Sequence, residues 1–458
     1  MWAEAAERVG RGGAAPVGVA AALLAAAVLA VTAPSLFWVA LAAAVLAGVA
    51  LLVLRHPAAC CALWLLLLGS TPEMWLGEML GDGPGRLDNW ALIIAAEKLA
   101  GFALVLLCVF RFGPRMDAFN PGFAFAAIAG AGFAHGLHPR LEPAESLRSL
   151  LGSASLYAFS FSRLSRGWAA AIVLVCRALP LAIVVAGVAL DAAGLRPLFV
   201  ADESGLRLQA TTHPAFLGGM ALTALYAGLV ELYRRGRAAE LALMGVNGAI
   251  LVLSGARAPL LIGAVVIAAA LLLVPSARVP ARARVALLLA GGVALPALAA
   301  VASALSGIRL FNLLSGDAAN LSNRDLIWPL FADAWEASPV WGWGLGAGKI
   351  ILPDTSELAK LLGTTAAHNE YLRIGAEGGD VGLALLLVTF AAWVGAHTAR
   401  LASGERAIIR LVFLGFAAHC YTDNVLIATS SSVFFAWVSA VFARGALERS
   451  PPPREEAG

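Results

Sequence analysis

The sequence predicts an all-α polytopic membrane protein, with about 12–14 transmembrane helices and one large outward-facing loop. Three observations predict it. Of 458 residues, 60% are hydrophobic and 13% are charged, where soluble domains carry about 25% charged residues. Mean hydropathy is +0.83, and the apolar residues fall in runs long enough to cross a bilayer as helices, which satisfy every backbone polar group internally. The pattern stops once, from about 306 to 371, in a polar stretch with its own aromatic, glycine and histidine motifs.

In chain order the candidate spans are 17–33, 35–54, 58–72, 90–110, 119–137, 147–162, 168–190, 211–233, 238–254, 259–275, 285–305, 379–397, 407–424 and 429–444. The sixth is short and serine-rich. Pro121, Pro180 and Pro296 lie within or near spans, where membrane helices tolerate them. The first run is read as a retained helix, because no small-residue cleavage site follows it. The expected organisation is 1–205 N-terminal transmembrane helices, 206–305 helices with donor-site motifs, 306–372 the outer loop with a surface helix, 373–446 C-terminal transmembrane helices, and 447–458 a disordered cytoplasmic tail.

Arginines set the orientation, since short cytoplasmic loops collect Lys and Arg. One alternate set of connections holds Arg8 and Arg11, Arg55, Arg111 and Arg115, Arg163 and Arg166, Arg234, Arg235 and Arg237, Arg278, Arg282 and Arg284, then Arg400 and Arg406. This puts both termini in the cytoplasm and the 306–371 loop outside. The net charge of +3 is scattered, with no patch for nucleic acid. The five cysteines form no CxxC pair, so neither a zinc site nor a disulfide framework is expected.

With this orientation Arg207, His213, Arg257, Arg324, His368 and Arg373 fall at or near the outer face. Arg257 sits in a short turn, Ser254-Gly255-Ala256-Arg257-Ala258-Pro259, between two apolar runs. It either snorkels to the headgroups or binds an anion. Arg207 precedes Thr211-Thr212-His213-Pro214, which reads as a helix start capped by Thr211 or Thr212. Ser322-Asn323-Arg324-Asp325 has the form of a capping box. The helix it opens carries Leu326, Ile327, Leu330, Phe331 and Trp335 at helical spacing, as expected of a helix on the membrane surface, with a kink at Pro329. Glycines at 342, 344, 346 and 348 suit a tightly packed turn; no preceding strand and no following Lys-Ser/Thr pair support a phosphate loop. His368-Asn369-Glu370 ends the polar stretch. A neutral imidazole there suits proton abstraction from a hydroxyl, or else anchors the loop. With no Asp-x-Asp or multi-His set on this face, no metal is expected, and cationic side chains would have to neutralise a phosphate.

Five motifs in order, Ser254-Gly255-Ala256-Arg257, Arg324 with Trp328, Gly342-Trp343-Gly344-Leu345-Gly346, His368-Asn369-Glu370-Tyr371-Leu372 and Glu377-Gly378-Gly379-Asp380-Val381-Gly382, resemble the O-antigen ligase and polymerase superfamily over roughly 205–425. The resemblance implies a GT-C-like glycosyltransferase of the bacterial inner membrane with a periplasmic active site and no cofactor. It would move a glycan from undecaprenyl diphosphate to a hydroxyl, with inversion. By position Arg257 and Arg324 would hold the diphosphate, Arg207 would be a further donor-site residue, and His368 would be the base, supported by Asn369, Glu370 and His213. Ala258 stands where the family often has glycine after the arginine, and Ala215 where it often has asparagine after the proline. The acceptor would be lipid A-core for a ligase, another undecaprenyl-linked repeat for a polymerase, or a protein. A lipid-linked glycan transporter is the reading from a different class; it would be expected to carry midplane charges and repeated halves, whereas the only clearly intramembrane charges are Glu97, Lys98 and Arg177 and no repeat is visible.

Overall fold

The computed structural model describes residues 57–72, 74, 87–202, 205–304, 324–362 and 364–449. The first two candidate spans, the 306–323 part of the loop with Ser322 and Asn323, and the tail from 450 lie outside the described residues. The chain divides into two compact units, Met1–Cys60 and Cys61–Gly458, and the site lies in the second.

Among the described residues the α-helices are α1 Pro57–Ser70, α2 Leu87–Phe112, α3 Pro121–His135, α4 Pro143–Ala154, α5 Arg166–Ala192, α6 Pro214–Arg235, α7 Ala239–Leu253, α8 Arg257–Leu273, α9 Ala281–Ala304, α10 Arg324–Ala337, α11 Glu357–Leu362, α12 Glu370–Thr398, α13 Ser403–Thr422 and α14 Thr429–Arg449. Four are long and apolar enough to cross a membrane: α5, α6, α12 and α14 as far as Glu448. Ala58–Ser70, α7 and α8 are shorter apolar helices. The core is all-helical, with α6 buried along most of its length between α5, α7, α8 and α14.

Three expectations are corrected. The sixth candidate span is not one helix: α4 passes into a 3-10 helix, Ser155–Phe161. Its ends still lie at opposite ends of the bundle. Glu145 pairs with Lys349 beside the glycine-rich turn, whereas Ser162 bridges Pro114, near Asp117, which holds the last turn of α12. Second, α12 begins at Glu370, not near 379. Its polar first turns are helical because Arg373 ties Glu370 (2.6 Å) to Glu377 (2.8 Å) along one face, and the expected start coincides with a break at Gly379 (φ 62°, ψ −167°). Third, a small antiparallel hairpin, β1 Phe199–Asp202 and β2 Gly205–Leu208, pairs Val200 with Arg207.

The bundle end opposite the site is held by ion pairs. Arg444 of α14 bridges Glu231 of α6 and Glu405 of α13, and Arg177 pairs with Glu240. Trp393 and His397 of α12 both bond Asp117, at 2.7 and 3.1 Å. A charge inside a membrane bundle persists only when paired, and these pairs fix which helices meet.

Candidate functional site

The described part of the loop folds into a cap over the start of α12. Ile327 and Phe331 of α10 are fully buried with Leu352, Ala359, Ala367 and Ala376. The apolar stripe expected to face the bilayer thus faces protein at these two positions. Helix α10 continues through Pro329.

The two glycine-rich motifs are each other's packing partners. Trp343 and Gly344 donate backbone hydrogen bonds to the carbonyls of Ala376 and Glu377, both at 2.9 Å. Across the break at Gly379, Asp380 and Val381 donate to Pro339 and Val340. A Cβ at Gly342 would lie 2.4 Å from the Glu377 backbone, and one at Gly379 would lie 2.4 Å from Val340. Both glycines have positive φ, so backbone contact and conformation each require the missing side chain.

His368 lies where this cap meets the bundle. Its Nδ1 is 3.0 Å from Asp423 Oδ1, at the end of α13, and its Nε2 is 3.3 Å from Thr364 Oγ1. Asp423 caps α13 and its own carboxylate also accepts from the Asn424 N–H at 2.8 Å. Burial works to raise the Asp423 carboxyl, but the hydrogen bond and charge of His368, the Asn424 N–H and the nearby His419 outweigh it and hold the carboxyl below its ordinary value. An ionised carboxylate only accepts. His368 therefore donates from Nδ1, and in the neutral ring Nε2 carries the lone pair, facing the Thr364 hydroxyl.

His368 has φ 49°, a left-handed conformation uncommon for a residue with a Cβ. Its neighbours hold it there. Trp328 Nε1 donates to the Ala367 carbonyl at 3.0 Å and its ring meets Tyr421 edge-on at 5.5 Å. On the other side Asn369 caps α12, accepting from Tyr371 (3.0 Å) and Leu372 (3.2 Å).

Arg324, the first residue of α10, is half-buried. Burial pulls its guanidinium down from the usual value and the charge of Asp423 opposes that shift, so arginine, aspartate and histidine share one locality. Arg257 opens α8. Helices α8 and α13 run antiparallel: Gly404 lies beside Val274 and Pro275, and Gly415 beside Ile262 and Val266. Seven residues further toward the site end, about 10 Å along each axis, Arg257 comes level with Thr422. Arg207 reaches the same turn from the hairpin, its Nε donating to the Ser254 carbonyl at 3.0 Å.

Three expected supporting residues do other work. Glu370 is buried and turned from His368; it accepts from Arg373 and from the Leu426 N–H at 2.6 Å. Asn369 is the helix cap. His213, not Thr211 or Thr212, caps α6, accepting from the Ala215 N–H at 3.2 Å, while Thr212 accepts from Thr71. Arg373 is locked between its two glutamates. Asp423 and Thr364 were not singled out from sequence. The available signal was an acid at the end of an apolar run, on the face already assigned to His368.

Residues 241–387 match the model of the family described as O-Antigen ligase. The superfamily resemblance holds for this segment. It contains Arg257, Arg324 and His368, whereas Arg207, His213 and Asp423 lie outside it. No curated protein matches the chain. The family match, on a chain whose described residues include four helices able to cross a membrane, supports a ligase- or polymerase-type role in O-antigen synthesis.

Proposed function

We propose that this chain is an inner-membrane glycosyltransferase that moves a glycan from undecaprenyl diphosphate to an acceptor hydroxyl, with lipid A-core as the acceptor, on the periplasmic face. The observation that carries this reading is the His368–Asp423 pair at 3.0 Å, with Arg324 near enough for the charge of Asp423 to act on it. The acceptor O–H gives its proton to His368 Nε2 as its oxygen attacks the anomeric carbon. The bond from that carbon to the diphosphate oxygen breaks, and its electron pair leaves with the diphosphate. Direct displacement inverts the anomeric centre. Arg324 and Arg257, with Arg207 as a further donor-site residue, neutralise the leaving diphosphate; a guanidinium does so through paired donors. Asp423 stabilises the imidazolium, as an orienting carboxylate does beside other histidine bases.

A polymerase that extends undecaprenyl-linked repeats uses the same chemistry, as does transfer to protein, and the product tells them apart. Purified protein in detergent, given a preloaded undecaprenyl-diphosphate glycan and lipid A-core, is expected to form lipid A-linked glycan. Longer lipid-linked glycan would make it a polymerase, and glycoprotein formed from a protein acceptor a protein ligase. No transfer to any acceptor would remove the glycosyltransferase reading in favour of a transporter, since detergent abolishes compartments.

A further inference from the structure

Inward of the His368–Asp423 pair lies a small cavity of about 20 Å³ between α6, α13 and α14. His419 is one helical turn before Asp423, whose N–H donates to the His419 carbonyl at 3.0 Å. His419 and Tyr226 both line the cavity and are 8% and 2% exposed. Their Nε2 and Oη atoms are buried with no hydrogen-bond partner among the described residues. Among the other polar side chains of the lining, Thr223 donates to the Gly219 carbonyl at 3.0 Å and Ser431 to the Val425 carbonyl, while Ser430 adds a further hydroxyl. Gly415 lets α8 pack closely here, since a Cβ would lie 2.6 Å from Val266, and it borders Tyr226 Oη at 3.3 Å.

A buried polar atom without a partner costs about 1–3 kcal/mol, and two such atoms on residues that line one cavity call for a shared ligand. The lining has no carboxylate, lysine or arginine, so an ion is a poor match. Phenol and imidazole between them offer a donor and an acceptor in either histidine tautomer. A hydroxyl oxygen, which both donates and accepts, fits every arrangement of those protons. A polar cavity of this size has room for about one water.

We propose that this cavity is a hydroxyl-binding site directly beneath the reacting groups, in which one oxygen bridges Tyr226 Oη and His419 Nε2. The oxygen belongs either to an ordered water or to a hydroxyl of the bound glycan; only the second source rests on the glycosyltransferase reading.

Tyr226→Phe tests it, because it keeps the ring and deletes only the hydroxyl. In an empty cavity the change removes an unsatisfied group, so the melting temperature of the substrate-free protein rises and KM does not move; that result overturns the proposal. With an ordered water the melting temperature falls and KM is unchanged. With a glycan hydroxyl, KM for the glycan substrate rises roughly three- to tenfold, the worth of one neutral hydrogen bond, with kcat little changed. His419→Phe is expected to reproduce the direction seen with Tyr226→Phe, and the double variant to cost less than the sum, because both lose one shared oxygen; strict additivity would also overturn the proposal. The thermal arm needs no substrate, so a wild-type protein inactive on every glycan would refute the transfer reading while leaving this site testable.

Discussion

His368 and Asp423 are 55 residues apart in the chain and 3.0 Å apart in space. One closes the loop before α12 and the other closes α13, and α12 packs on α13. The pair exists only because the cap and the bundle are assembled together, so it ties loop folding to the chemistry proposed for His368.

Asp423→Asn is expected to leave the fold intact and cut turnover by about 10²- to 10⁴-fold, the range for a lost base or a misoriented one. The asparagine side chain presents either a carbonyl or an amide N–H to His368, and the second selects the wrong tautomer. Glycan transfer by the purified variant measures this; wild-type turnover would remove Asp423 from the mechanism.

The same carboxylate has a signature in stability. Its value in the folded protein is depressed, so its contribution is present above the unfolded value of about 3.9 and is lost as pH falls through the lower folded value. Thermal unfolding in detergent is expected to show a constant gap between wild type and Asp423→Asn above about pH 5, narrowing below about pH 4. A gap that widens as pH falls below about 4 would contradict the depressed carboxyl.

Arg373 holds together the first turns of α12. Its side chain and those of Glu370 and Glu377 are nearly fully buried. Arg373→Met leaves two buried carboxylates without their cation and is expected to cost about 3–5 kcal/mol. The melting temperature and the yield of folded protein report it. Glu377 also accepts from the Gly348 N–H at 3.1 Å and Glu370 from the Leu426 N–H, and a replacement that unfolds as wild type does would show that these two backbone donors suffice.

Much of this arrangement was legible in the sequence. Hydropathy located nearly every helix in the described bundle, because lipid demands long apolar runs, and motif order placed Arg257, Arg324 and His368 at one end. What was not legible depends on helix geometry and on distant contacts. Glu370 adjoins His368 in sequence, but helical rotation turns it toward Leu426, whereas Asp423 reaches His368 from another helix. The start of α12 was missed because ion pairs, not hydropathy, make Glu370–Gly378 helical. The sixth candidate span was ambiguous because half of it is a 3-10 helix, whose residues carry no 3.6-residue period.

Sidedness has a direct test. Thr355 is exposed on the cap. A cysteine there is expected to react with a membrane-impermeant maleimide in cells whose outer membrane alone has been permeabilised. Labelling only after inner-membrane lysis would put the cap, and His368 with it, in the cytoplasm.

The central claim is that His368 takes the acceptor's proton, and turnover of His368→Gln, measured beside donor affinity and melting temperature, tests it most directly. Glutamine keeps a side chain of similar reach and hydrogen-bonding capacity but no basic nitrogen. The account predicts a folded protein that binds the undecaprenyl-diphosphate donor almost normally, because the arginines hold it, and that turns over about 10²- to 10⁴-fold more slowly. A folded, donor-binding His368→Gln variant with wild-type turnover would contradict the account and reduce His368 to an anchor between the cap and α13.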